Sequence, residues 1–146
     1  MIDIPELVRM TEASEMFRML AMKIETAEVG RVVISMPVTS KVHQYIGIMN
    51  GGFSLLLAET AASFGAVIGS DLSKVSPVGI EINANHLRAV SKGTITADAK
   101  NVYHGRSISV WQVEITNDRG KLICVSRCTL SLKPGGAQVT LPKSDA

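Results

Sequence analysis

Cysteine and aromatic residues are scarce in this chain of 146 residues, and no charge of either sign dominates it. The two cysteines, Cys124 and Cys128, share the strand-like run LICVSRCTLSL. Four residues of strand set them about 13 Å apart on one face, which excludes a disulfide between them. They are expected to be small core residues, and the reducing compartment this implies is the cytoplasm. A net charge of +2, with no basic run and only 4% aromatics, argues against a nucleic-acid protein. Such mild basicity fits an anionic small molecule but is more often only an ordinary solvated surface. The three histidines (His43, His86 and His104) are scattered with no cysteine nearby, so no metal-ligand spacing exists. Acidic residues near the N-terminus and the absence of an apolar core there argue against a signal peptide. The longest apolar run is shorter than the ~20 residues a membrane span needs.

That run is the most informative part of the chain. From Phe53 to Ile68 every residue is apolar or small except Thr60 and one charge, Glu59. A helix that is apolar all round is buried, and a buried carboxylate is costly unless it is paired or does chemistry. Gly51 and Gly52 stand where the helix would begin, with Asn50 able to cap it, and their N–H groups are free to bind an oxyanion. One segment thus offers a group that polarises a carbonyl and, about two turns on, a carboxylate. The plain alternative for Glu59 is an ion pair inside an oligomer interface.

Around this helix the sequence predicts one or two short amphipathic helices from Pro5 to Leu20, with Met10, Met16, Met19 and Met22 forming adaptable core or a ligand wall. Strands are predicted over Lys23–Glu28, Arg31–Val38, from Pro77 (Val78, Ile80, Ile82 and Ala84 on one face), Thr94–Val102, Ser107–Thr116 and Lys121–Lys133. Asn117–Gly120 marks a hairpin. Trp111 reads as core beside Val113 and Ile115, and His43 and His104 as loop residues. The whole chain, 1–146, is expected to form one domain, with a helical segment over 1–21 and a loose tail over 134–146. Strands that follow one another as hairpins imply an α+β fold in which an antiparallel sheet curls around the apolar helix.

Three stretches, GIMNGGFSLLLAETAAS, VGIEINANHLRAV and HGRSISVWQVEITNDRGKLICVSRCTL, resemble hotdog-fold acyl-CoA thioesterases of the PaaI-like type. The branch they are most similar to includes 1,4-dihydroxy-2-naphthoyl-CoA and hydroxybenzoyl-CoA thioesterases. The resemblance implies hydrolysis of an aryl- or medium-chain acyl-CoA. It assigns Glu59 as nucleophile or general base, the Gly51 amide as the group polarising the thioester, Gln44 as a positioning residue and Ser63 as a holder of the attacking water. It further implies that coenzyme A meets Gly52, His86, Arg88, Gly105, Arg106 and Ser107. No cofactor is expected beyond the coenzyme A of the substrate. A homodimer or homotetramer with a shared site is implied, so that Gly51 and Glu59 can come from different subunits. This chain departs from the relatives in carrying Asn50 where they have histidine. An acyl-CoA-binding module without catalysis is the alternative; a hydratase fits less well, since hydratases use a histidine that Asn50 does not supply.

Overall fold

The computed structural model describes residues 3–136. Asp3 caps the first helix, α1 (Ile4–Glu12), its carboxylate accepting the Glu6 N–H, and Pro5 sits in the first turn, where a missing N–H costs nothing. A second helix, α2 (Glu15–Leu20), ends at Ala21 in the left-handed region and buries Phe17 and Leu20. Strands β1 (Lys23–Glu28) and β2 (Arg31–Pro37) follow, then a short 3₁₀ turn at Ser40–Val42 and the long helix α3 (Gly52–Ile68). The chain closes with β3 (Val75–His86), β4 (Thr94–His104), β5 (Ile108–Thr116) and β6 (Leu122–Pro134).

All six strands form one antiparallel sheet in the order β1-β2-β4-β5-β6-β3. Alternating residues of β4, β5 and β6 (Ile95, Ala97 and Ala99; Trp111, Val113 and Ile115; Cys124, Cys128 and Leu130) point to one buried face. Helix α3 lies across that face with Leu57, Ala58, Ala61, Ala62 and Ala66 wholly buried. Its small residues let the helix approach the sheet closely. At Gly65 the Trp111 ring comes so near that an added Cβ would stand 2.7 Å from Cζ3. Both cysteines are buried and unbonded.

Three expectations need correction. Strand β3 opens at Val75 rather than Pro77, and Pro77 is accommodated because β3 is an edge strand. A β-bulge between Gly79 and Glu81 breaks the alternation, so Ile82 and Ala84 pack on the core while Val78 and Ile80 are exposed. Residues 134–136 are not loose: the Gly135 N–H donates to Lys74 and its carbonyl accepts the Ser76 hydroxyl. The rest of the expected tail, residues 137–146, lies outside the described residues, as do residues 1 and 2 of the expected helical segment.

Candidate active site

Helix α3 begins at Gly52, and the first helical amides are satisfied locally. The Asn50 side-chain oxygen accepts the Gly52 N–H at 2.9 Å, and the backbone carbonyls of Asn50 and Gly51 accept from Phe53 and Ser54. Asn50 therefore serves as a cap through its oxygen. The Gly51 N–H has no hydrogen-bond partner among the described residues and stands at the positive end of a 17-residue helix. The end of β3 runs beside it, because Leu87 N–H and Arg88 N–H both donate to the Ile123 carbonyl and pin the chain there. The His86 ring packs against Gly51 so closely that a Cβ on the glycine would lie 2.9 Å from both Cε1 and Nε2. Gln44, Gly51, Ser54, His86 and Arg88 thus line one cavity of about 400 Å³.

Glu59 opens into a different cavity, of about 810 Å³, on another face of α3. Gly52, Leu55, Leu56, Glu59, Ser63 and Val67 form its helical wall, with Pro77 and Ile82 of β3 opposite. The Glu59 carboxylate lies flat against the bulged strand, Oε1 standing 2.6 Å from where a Cβ on Gly79 would be. Ser63, one turn past Glu59, makes no hydrogen bond among the described residues. Thr60 and Thr11 instead donate to the Leu56 and Leu7 carbonyls at 2.6 and 2.7 Å. Glu59 and Ser63 are the polar side chains of this apolar cavity whose hydrogen-bonding capacity is untouched.

The predicted site residues fall into three groups. Gln44, Gly51, His86 and Arg88 are gathered at the start of α3, with Asn50 capping it; Gly52, Glu59 and Ser63 share the larger cavity. Gly105, Arg106 and Ser107 form the β4–β5 turn, where the Gly105 N–H donates to Ile108 and the Ser107 carbonyl accepts from Leu132. That turn lies at the C-terminal end of α3, with His104 beside Gly69, and lines neither cavity. The methionines of the N-terminal segment do not line the Glu59 cavity: Met22 is buried in the core, Met10 is half-buried, and Met16 and Met19 are exposed. In their place Leu7 and Thr11 of α1 close one side of the Glu59 cavity. Their i, i+4 spacing was the signal for a shared helix face. Among the described residues no cluster of His, Cys, Asp and Glu could hold a metal, and no helix is long and apolar enough to cross a membrane.

Known proteins resemble this chain in fold and in sequence. The family model described as the thioesterase superfamily matches residues 46–124. The chain is 42% identical over 114 residues to the 1,4-dihydroxy-2-naphthoyl-CoA hydrolase of Listeria monocytogenes, covering 78% of this chain and 92% of that one. A thioesterase structure from Pseudomonas aeruginosa superposes with a TM-score of 0.84 at 33% identity, covering 91% and 95% of the two chains. One from Staphylococcus aureus superposes with a TM-score of 0.80 at 42% identity, covering 83% and 100%. The six-stranded antiparallel sheet and its long helix are a hotdog fold. The chain belongs to the thioesterase superfamily, and it is a thioester hydrolase.

Proposed function

We propose that the protein hydrolyses the thioester of an aryl- or medium-chain acyl-CoA, giving the free acid and coenzyme A. The observation that carries this reading is Glu59, a carboxylate with no partner among the described residues in a mostly apolar cavity along α3. Hydrolysis needs an activated nucleophile and a donor for the oxyanion. Glu59 provides the first, attacking the carbonyl or taking a proton from water, with Ser63 beside it to hold that water. The Gly51 N–H provides the second, and Gln44 orients the thioester. Arg88 supplies a contact for the phosphates of coenzyme A, and the turn at Gly105, Arg106 and Ser107, at the other end of α3, can add one only from a second subunit.

Helical geometry supports a two-chain site. Gly51 and Glu59 are eight residues apart, about 12 Å along the axis. One carbonyl carbon cannot be within attack distance of Glu59 while its oxygen accepts from Gly51 of the same chain. In this reading the helix start of one subunit works with Glu59 of a second, in a homodimer or homotetramer. Edge strand β3, with Val78 and Ile80 exposed on either side of Gly79, is the face that fits such a partner. The reaction needs no cofactor beyond the coenzyme A of the substrate, and the two buried free thiols fit a cytoplasmic protein.

The relatives support the assignment of residues. The Staphylococcus aureus structures carry alanine in place of a glutamate in one case and a glutamine in another; those positions are fifteen apart, as Gln44 and Glu59 are here. The apolar cavity and the likeness to a dihydroxynaphthoyl-CoA hydrolase favour an aryl acyl group. Thiol release from a panel of aryl- and aliphatic acyl-CoAs tests the reading, wild type beside Glu59→Gln. Turnover that is lost in the variant supports it. Wild-type turnover retained by Glu59→Gln overturns the mechanism, and coenzyme A binding without turnover leaves a binding module.

A further inference from the structure

We infer that His86 is a catalytic residue of this site, donating a second hydrogen bond to the thioester oxyanion beside the Gly51 amide. This rests on the thioesterase reading above and gives His86 a task different from holding coenzyme A. Three observations carry it. The ring is held at the start of α3, with Nε2 2.9 Å from the point where a Cβ on Gly51 would stand, two bonds from the nitrogen that carries the free N–H. Its backbone is fixed on both sides, by pairing with Cys124 on β6 and by the Leu87 bond to Ile123, so the ring's position is built into the sheet. Neither ring nitrogen has a hydrogen-bond partner among the described residues, although Gln44 and Arg88 line the same cavity.

Oxyanion sites work through donors aimed at one developing charge, and one backbone N–H from a helix start leaves room for another. The Asn50 side-chain oxygen accepts from Gly52 N–H and, being an acceptor, offers an oxyanion nothing. The departing thiolate has little need of an acid, because an ordinary thiol ionises near pH 8.5. In the step proposed, the nucleophile's lone pair forms the new C–O bond and the carbonyl pair moves onto oxygen. That oxygen accepts from Gly51 N–H and from His86 in its Nε2–H form, and neither proton is transferred. Collapse restores the C=O bond and breaks C–S, the thiolate leaving with the bonding pair. Arg88 remains the partner for phosphate oxygens, the chemistry its guanidinium suits.

The test compares wild type, His86→Ala and His86→Gln by steady-state hydrolysis of a benzoyl-CoA and an octanoyl-CoA, with calorimetric titration of coenzyme A. His86→Ala is expected to lower kcat about a hundredfold while KM and coenzyme A affinity move less than about threefold. His86→Gln, whose amide can still donate, should recover about tenfold of the loss. A raised KM with unchanged kcat would make His86 a coenzyme A contact and overturn the proposal. Equal losses of kcat in both variants would reduce it to a packing partner of Gly51, which overturns it too. A wild type inactive on every acyl-CoA would instead remove the thioesterase reading itself.

Discussion

The Glu59 carboxylate occupies the space that a side chain on Gly79 would fill, its Oε1 2.6 Å from the missing Cβ. The glycine sits at the bulge of β3, so the strand's irregularity and the carboxylate's position are one feature. Gly79 has no positive φ, and alanine fits its backbone. Gly79→Ala should therefore fold, with stability changed by about 1 kcal/mol or less. It should lose about a hundredfold in kcat as the carboxylate is pushed aside. Paired kinetic and thermal-unfolding measurements check this; unchanged kcat would separate Glu59 from the reaction.

Gly65 should behave in the opposite way. Alanine is the better helix former by about 1 kcal/mol, yet here its Cβ would run into the Trp111 ring. Overpacking of this kind costs about 1–3 kcal/mol, so Gly65→Ala is expected to be destabilised on balance. The chain has a single tryptophan, and the emission of Trp111 during urea unfolding reports both the stability and the disturbed packing.

Ser109 is a wholly buried hydroxyl that joins three side chains. It accepts from Trp111 Nε1–H at 2.8 Å and from Asn101 Nδ2–H at 3.1 Å. The third side chain is His104, whose Nδ1 lies 3.1 Å from the hydroxyl. Ser109→Ala strands the indole N–H and should cost about 1–3 kcal/mol. Urea unfolding, with faster exchange of the indole proton by NMR, would register it; no change in either would contradict the network.

Burial first, then the charges of Glu59 and Glu81, push the Cys128 thiol up to about 11 from its ordinary 9.0. Above pH 9 the unfolded chain loses that proton while the folded one keeps it. The thiol's contribution to stability is therefore complete below pH 9 and disappears as pH rises towards 11. The urea midpoint should fall over this range, and less steeply in Cys128→Ala; parallel curves would refute it. Neither cysteine should react with a thiol reagent at pH 8 until the protein unfolds.

Much of this architecture was legible in the residues, for identifiable reasons. The run from Phe53 to Ile68 could only be a helix packed on the core, though not one buried on every side, and Asn117–Gly120 could only be a turn, because local chemistry decides both. The Gly79 bulge was not legible, since a lone glycine in a strand leaves open which partner approaches it. Of the site, Glu59 and Gly51 could be named from their chemistry. Their division between two cavities depends on where β3 ends relative to α3, which no local pattern encodes. Leu7 and Thr11 escaped because nothing in α1 announces that it borders a ligand space. His86 could be named from sequence as a contact; its closeness to Gly51 is a fact of tertiary packing.

The separation of Gly51 from Glu59 also has a genetic meaning. If each reaction centre borrows one half from a neighbour, two inactive alleles need not be inactive together. Chains damaged at Glu59 and chains damaged at Gln44, mixed after unfolding and refolding, would assemble some pairs in which one centre inherits both defects and the other inherits neither. Two silent preparations would then yield an active mixture.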